Sequence, residues 1–188
     1  DNITYLGDEL FNDCTSLEEV YIPSTNNRNQ LHVAIWEPER ETKAILQISH
    51  GMVEYIVRYD DFAKHLNQQG ILVIGNDHLG HGQSVLDESE FGYFGKEKGS
   101  AVVDDLYEVT KYAKKQYGEN IPYFLMGHSM GSYMTRKCLS VKAKEMDGLA
   151  GAIIMGTGTE ANGTINVGLA FINFLSFFHS DEYRSTMV

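Results

Sequence analysis

One turn constrains this chain more than any other feature. The stretch Tyr123-Phe124-Leu125-Met126-Gly127-His128-Ser129-Met130-Gly131-Ser132 reads as a buried strand, a sharp turn and the start of a helix. The turn matches Gly-x-Ser-x-Gly, with Gly127, Ser129 and Gly131 at the fixed positions. A nucleophilic serine of this kind stands at the tip of a strained turn, where a side chain at either glycine would collide with the neighbouring strand or helix. The helix that follows points its first N–H groups at any oxyanion formed beside Ser129. A bare pentapeptide is equally an ordinary strand-to-helix turn, because glycine and serine are common. Here both required flanks are present. Residues 121–126 are apolar and strand-like, and residues 132–141 suit a helix, with no internal Gly or Pro.

The rest of the chain supplies a matching frame. Strands are predicted over residues 18–22 and 31–36, separated by the turn cluster Asn26-Asn27-Arg28-Asn29. Residues 44–49 form a short apolar run of the kind found in buried parallel strands, ending in His50-Gly51-Met52. Residues 59–69 place Phe62, Ala63 and Leu66 at helical spacing, and Gly70 stops them. Residues 71–74 are the next buried strand and run into a glycine-rich loop. Residues 87–100 are loop-like, and residues 101–117 read as a helix with Val102, Leu106, Val109 and Ala113 on one side. Residues 149–155 are another apolar strand. Strands alternating with helices predict a mostly parallel, doubly wound α/β sheet with helices on both faces.

At 188 residues the chain suits one domain with a sizeable core. A net charge of −11 argues against a phosphate-backbone partner, so no nucleic acid is expected. Cys14 and Cys138 lie far apart, and nothing points to a disulfide framework. The acidic, polar start has no signal-peptide character, which makes a cytoplasmic setting the default.

The two ends differ from the middle. Ile3-Thr4-Tyr5-Leu6-Gly7, Phe11 to Leu17 and Val20 to Ser24 together resemble one unit of the leucine-rich repeats of bacterial surface antigens. A single unit cannot bury its own apolar face. The alternative is a lead-in over residues 1–16 followed by a first strand. Residues 165–178 are strongly apolar, with Phe171, Phe174, Phe177 and Phe178, yet too short to span a bilayer, which takes about 20 apolar residues. They read either as a core helix or as a lid over a greasy pocket, able to touch a membrane surface transiently.

Three motifs now stand in order, each at the C-terminal end of a predicted strand. They are Ser49-His50-Gly51-Met52-Val53-Glu54-Tyr55 with Arg58-Tyr59, then Asn76-Asp77-His78-Leu79-Gly80-His81-Gly82-Gln83-Ser84, then Gly127-His128-Ser129-Met130-Gly131. With them the sequence resembles the α/β-hydrolase superfamily, and within it the monoacylglycerol lipase / lysophospholipase group, often labelled serine aminopeptidase-like. The resemblance implies a serine ester hydrolase acting on a small lipid-like ester through an acyl-enzyme. It implies Ser129 as nucleophile and the backbone N–H groups of Met130 and Met52 as the oxyanion hole, supported by His50, Gly51, Gly127, His128 and Gly131. It implies no cofactor. The core expected from it is residues 17–159, with residues 160–188 the beginning of a helical cap.

Four histidines, His50, His78, His81 and His128, sit near the site by motif. The family order is Ser, then Asp, then His, with the base from a late loop, which assigns these four to tying loops together. His78 and His81 lack a third ligand at a known offset, so no metal is expected. His179 is the one histidine downstream of Ser129, and it precedes Asp181, the reverse of the family order. The chain therefore reads as a C-terminally truncated hydrolase without its acid and histidine. In that case the strand over residues 149–155 is left with an exposed apolar edge, open to pairing between copies. The competing readings are an inactive hydrolase-fold domain kept for binding, and a nucleotide-binding domain resting on Gly156-x-Gly158-x-x-Ala161.

Overall fold

The computed structural model describes residues 17–96, 99–159 and 162–178. Most of the repeat-like lead-in, His179 and Asp181 lie outside the described residues. Strands β1 (Leu17–Pro23), β2 (Gln30–Trp36), β3 (Ala44–Ser49), β4 (Ile71–Asn76), β5 (Tyr123–His128) and β6 (Leu149–Met155) form one sheet in the order β1-β2-β4-β3-β5-β6. β1 with β2 and β2 with β4 are antiparallel, and the other neighbours are parallel. Helices α1 (Asp60–Asn67), α2 (Ser100–Tyr117) and α3 (Met130–Lys142) complete the crossovers, and α4 (Asn162–Phe178) follows β6.

Continuous apolar runs bury the central strands on both faces. β3 reads Ala-Ile-Leu-Gln-Ile-Ser and is buried from Ile45 onward. On one face Leu31, Val33, Ile35, Ile45, Leu72 and Ile74 pack with Val102, Leu106, Val109 and Ala113, so α2 buries the stripe expected of it. On the other face Trp36, Leu46, Ile48 and Val73 pack with Ile56 and Ala63. Burying each such side chain stabilises the fold by about 1.5–3 kcal/mol. The one polar residue in mid-β3, Gln47, makes three hydrogen bonds. It donates to the Leu106 carbonyl (2.8 Å) and accepts from the hydroxyls of Tyr123 (2.7 Å) and Thr110 (2.6 Å).

Some expectations shift. β5 begins at Tyr123 rather than residue 121, because Pro122 has no N–H for the ladder, and it runs on to His128 alongside β6. Residues 56–59 form a 3-10 turn, so α1 starts at Asp60, and its Phe62 is 42% exposed while Ala63 carries the contact. The core-helix reading of the apolar tail fails: α4 is a helix, but Phe171, Phe174, Phe177 and Phe178 are all exposed. β6 is the sheet edge, with Ile153 and Met155 exposed.

Candidate active site

The elbow forms where β5 gives way to α3. Ser129 has φ 51° and ψ −118°, a left-handed backbone that a residue with a Cβ adopts only under constraint. Three features supply the constraint. The Ser129 N–H donates to the Met155 carbonyl at the end of β6 (2.9 Å), and both the Ser132 N–H (3.0 Å) and its hydroxyl (2.6 Å) return to the Ser129 carbonyl. A Cβ at Gly131 would overlap the Ser49 carbonyl and lie 2.6 Å from that of His50, and one at Gly127 would lie 2.5 Å from Thr135 Oγ1. The two glycines thus let α3 press against β3 and β5.

The segment after β3 meets the serine. A Cβ on Gly51 would sit 3.3 Å from Ser129 Cβ, so the Gly51–Met52 peptide lies beside the hydroxyl. Met130 opens the 13-residue helix α3, whose N-terminus carries partial positive charge. Among the described residues neither the Met52 nor the Met130 N–H has a protein acceptor. The segment is strained as well: Val53 has φ 57° and is 88% exposed. A β-branched side chain in this region costs about 1–2 kcal/mol. Val53→Gly should raise the melting temperature by about 2–4 °C, read by thermal denaturation, with little burial lost.

Glu54 fastens the same segment. Its carboxylate accepts from the Gly51 N–H (3.0 Å) and the Tyr59 hydroxyl (3.0 Å), and it pairs with His128 Nδ1 at 3.4 Å. Burial alone would raise its pKa, but these partners outweigh burial and hold it below the usual carboxylate range. His128 therefore faces Glu54 rather than Ser129.

The remaining motif histidines tie loops together. His50 Nδ1 donates to the Gly51 carbonyl (2.7 Å), and its Nε2 accepts from the His78 N–H (3.0 Å), which fixes a neutral ring. His78 Nε2 meets the Ser49 hydroxyl (3.1 Å), and His81 Nδ1 donates to the Leu79 carbonyl (3.1 Å). The His50 and His78 rings lie 4.2 Å apart. Burial lowers both pKa values, aided by repulsion from His81 on His50 and from His50 and His81 on His78. A lowered imidazole pKa makes stability full above about pH 6.5 and erodes it as pH falls below that value. Melting temperature should accordingly drop between about pH 6.5 and 5, which a pH series of thermal melts checks. Among the described residues no cluster suits a metal ion.

Ser129 has no histidine partner among the described residues. One feature escaped sequence reading. The buried pair His32–Asp77 (2.8 Å) lies behind the site, and residues 45 apart in sequence carry no local signal of pairing. A largely apolar cavity of about 580 Å³ opens beside the segment, lined by Met52, Val53, Tyr55, His81, Phe91 and Phe94. A second, of about 540 Å³ with Lys111, Lys114 and Lys115 in its wall, lies at the opposite end of the sheet, where Asn120 and Gly148 precede β5 and β6.

This geometry has relatives. The family model for serine aminopeptidase, S33, matches residues 40–179. A monoglyceride lipase homolog of Monkeypox virus is 36% identical over 106 residues, covering 56% of this chain and 36% of that protein. The monoglyceride lipase of Rattus norvegicus is 39% identical over 99 residues, 51% of this chain and 30% of that protein. A thermostable carboxyl esterase from Bacillus coagulans superposes with a TM-score of 0.76 at 28% identity, covering 86% of this chain and 51% of its own. A soluble variant of monoglyceride lipase from Saccharomyces cerevisiae shares the fold at a TM-score of 0.69 and 19% identity, over 94% of this chain and 57% of its own. The chain thus spans about half or less of these relatives' lengths. With its elbow, its glycine contacts and a family match over most of its length, the chain belongs to the serine aminopeptidase S33 family of α/β-hydrolases.

Proposed function

We propose that the protein is a serine hydrolase that cleaves carboxylic esters of monoacylglycerol- or lysophospholipid-like substrates. The observation that carries this is the strained Ser129 elbow with the Gly51–Met52 peptide set against it. In the first step Ser129 Oγ forms a bond to the ester carbonyl carbon, and the carbonyl electrons move onto oxygen. The N–H groups of Met130 and Met52 hold that oxyanion. Collapse expels the alcohol, which takes the proton lost by Ser129, and water then releases the acid. Glu54, His50 and His128 keep the oxyanion segment in place.

Proton transfer needs a histidine and its acid, which the family order places after the nucleophile. Neither reaches Ser129 among the described residues; the second reading is a hydrolase-fold domain that binds without turnover. Residues 17–159 act as the core in either case, and the described helix α4 begins a cap. The apolar cavity and the exposed phenylalanines of α4 suit an acyl chain and a passing contact with a membrane surface. No helix among the described residues is long and apolar enough to cross a membrane. The open β6 edge offers a place for a second copy to pair.

Hydrolysis of nitrophenyl esters of increasing acyl length by the protein tests the substrate class. Rates should rise from acetyl toward medium and long chains. A preference for acetyl esters would remove the lipid assignment, and turnover unaffected by Ser129→Ala would leave the non-catalytic reading.

A further inference from the structure

The strained residue Val53 raises the question of what holds its segment in place. Strain of this kind persists only where the surroundings over-determine the backbone. At one end Glu54 holds the Gly51 N–H. At the other end stands Ile56, with its side chain fully buried against Gly75, where a Cβ would overlap it. The Ile56 N–H donates to Asp77 Oδ1 at 2.6 Å.

Asp77 does more than receive that bond. Its carboxylate is 1% exposed, and Oδ2 accepts from the Gln83 N–H (2.8 Å) and from His32 Nδ1 (2.8 Å). Its main chain is locked to the same elements: its N–H donates to the His32 carbonyl (2.9 Å), and its carbonyl accepts from the Ser84 hydroxyl (2.7 Å). A Cβ at Gly82 would lie 2.6 Å from Asp77 Oδ1 and closer still to the rest of the carboxylate, so the loop is cut to fit this one group. His32 in turn reaches Glu19 Oε1 through Nε2 (2.9 Å). An imidazole bonded to a carboxylate at both nitrogens donates at both only as the imidazolium. The groups facing it are Glu19 from β1, Asp77 from the end of β4, the Gln83 side-chain amide (3.4 Å) and the Tyr21 ring.

Building on the proposed hydrolase site, we propose that Asp77 is the positioning residue of the oxyanion segment, with His32 as its buried counter-charge. Asp77 touches no reacting atom. It fixes the far end of the segment whose near end presents the Met52 N–H, and it ties that end to the 82–84 turn. Without it, Val53 relaxes toward negative φ and the Met52 N–H leaves the position where it faces the oxyanion. Burial alone would lower the His32 pKa, but the Asp77 and Glu19 carboxylates outweigh burial and raise it. The resulting stabilisation is full below about pH 6.5 and is lost as pH rises through the higher folded value.

Asp77→Asn in the protein tests this, read by amide hydrogen exchange, the NMR titration of His32 and the rate of fluorophosphonate labelling. The expected result is a loss of protection at Ile56 and Gln83 of about 100-fold with a still cooperative melt. The His32 titration should fall to or below the ordinary imidazole value, and labelling should slow by about 10-fold or more. If Asp77→Asn does not fold, His32→Gln, which keeps a donor without the charge, should give the same losses of Ile56 and Gln83 protection and of labelling rate at about a tenth of the size. Unchanged Ile56 protection and an unchanged His32 titration would overturn the proposal. If the wild-type protein takes no label, the hydrolase reading fails alone, and exchange at Ile56 together with the His32 titration decides the role of Asp77.

Discussion

A Gly131→Ala chain is expected not to hold the elbow. The added Cβ would overlap the Ser49 carbonyl and crowd that of His50, and both are backbone atoms at the end of the central strand. Neither can give way without moving β3, which is hydrogen-bonded on both sides, to β4 and to β5. A clash of this kind belongs to the rare class of substitutions that cost about 4 kcal/mol or more. Against a typical stability of about 5–15 kcal/mol, the variant should be largely unfolded or melt many degrees lower. Circular dichroism during urea unfolding measures the loss. A change under about 1 kcal/mol would show that α3 does not press on β3 as described.

The second large effect concerns chemistry rather than folding. Ser129→Ala removes the oxygen proposed to attack the ester and leaves the Met52 and Met130 N–H groups in place. Alanine tolerates the φ of 51° no worse than serine does, and the Ser129 hydroxyl makes no hydrogen bond among the described residues, so the fold should persist. Ester hydrolysis should fall by about 10⁴-fold or more, because a nucleophile removed from such a site leaves only binding and oxyanion stabilisation. The loss should appear in kcat with KM little changed. Steady-state kinetics on a nitrophenyl ester check it beside a melt of the same sample.

Much of the frame was legible because its signals are local. Residues 44–49 and 149–155 are apolar runs bounded by polar turns, and β3 and β6 occupy those residues end for end. Val102, Leu106, Val109 and Ala113 carry a helical period, and α2 buries them. The Gly127–Ser129–Gly131 spacing foretold a strained serine, and Ser129 has that backbone. Other features depend on distant partners. Asp77 meets His32 and Ile56 only once β4 lies beside β2 and the 56–59 turn folds over Gly75. The pairing of Glu54 with His128 likewise waits on β3 and β5 becoming neighbours. For α4 the signal itself is ambiguous: a helix apolar on every side looks the same whether buried or bare, and composition cannot separate the two.

The central claim is that Ser129 is an elbow nucleophile facing two backbone N–H donors. Its most direct test is treatment of the protein with a fluorophosphonate, read by intact mass and by peptide mapping, with Ser129→Ala alongside. A serine without its histidine is a weak nucleophile, so labelling reports whether a base activates Ser129 in the protein, as the hydrolase reading requires. The expected result is a single adduct on the peptide containing Ser129, absent from the variant. An adduct on another residue, or none on a well-folded sample after prolonged incubation, would contradict it.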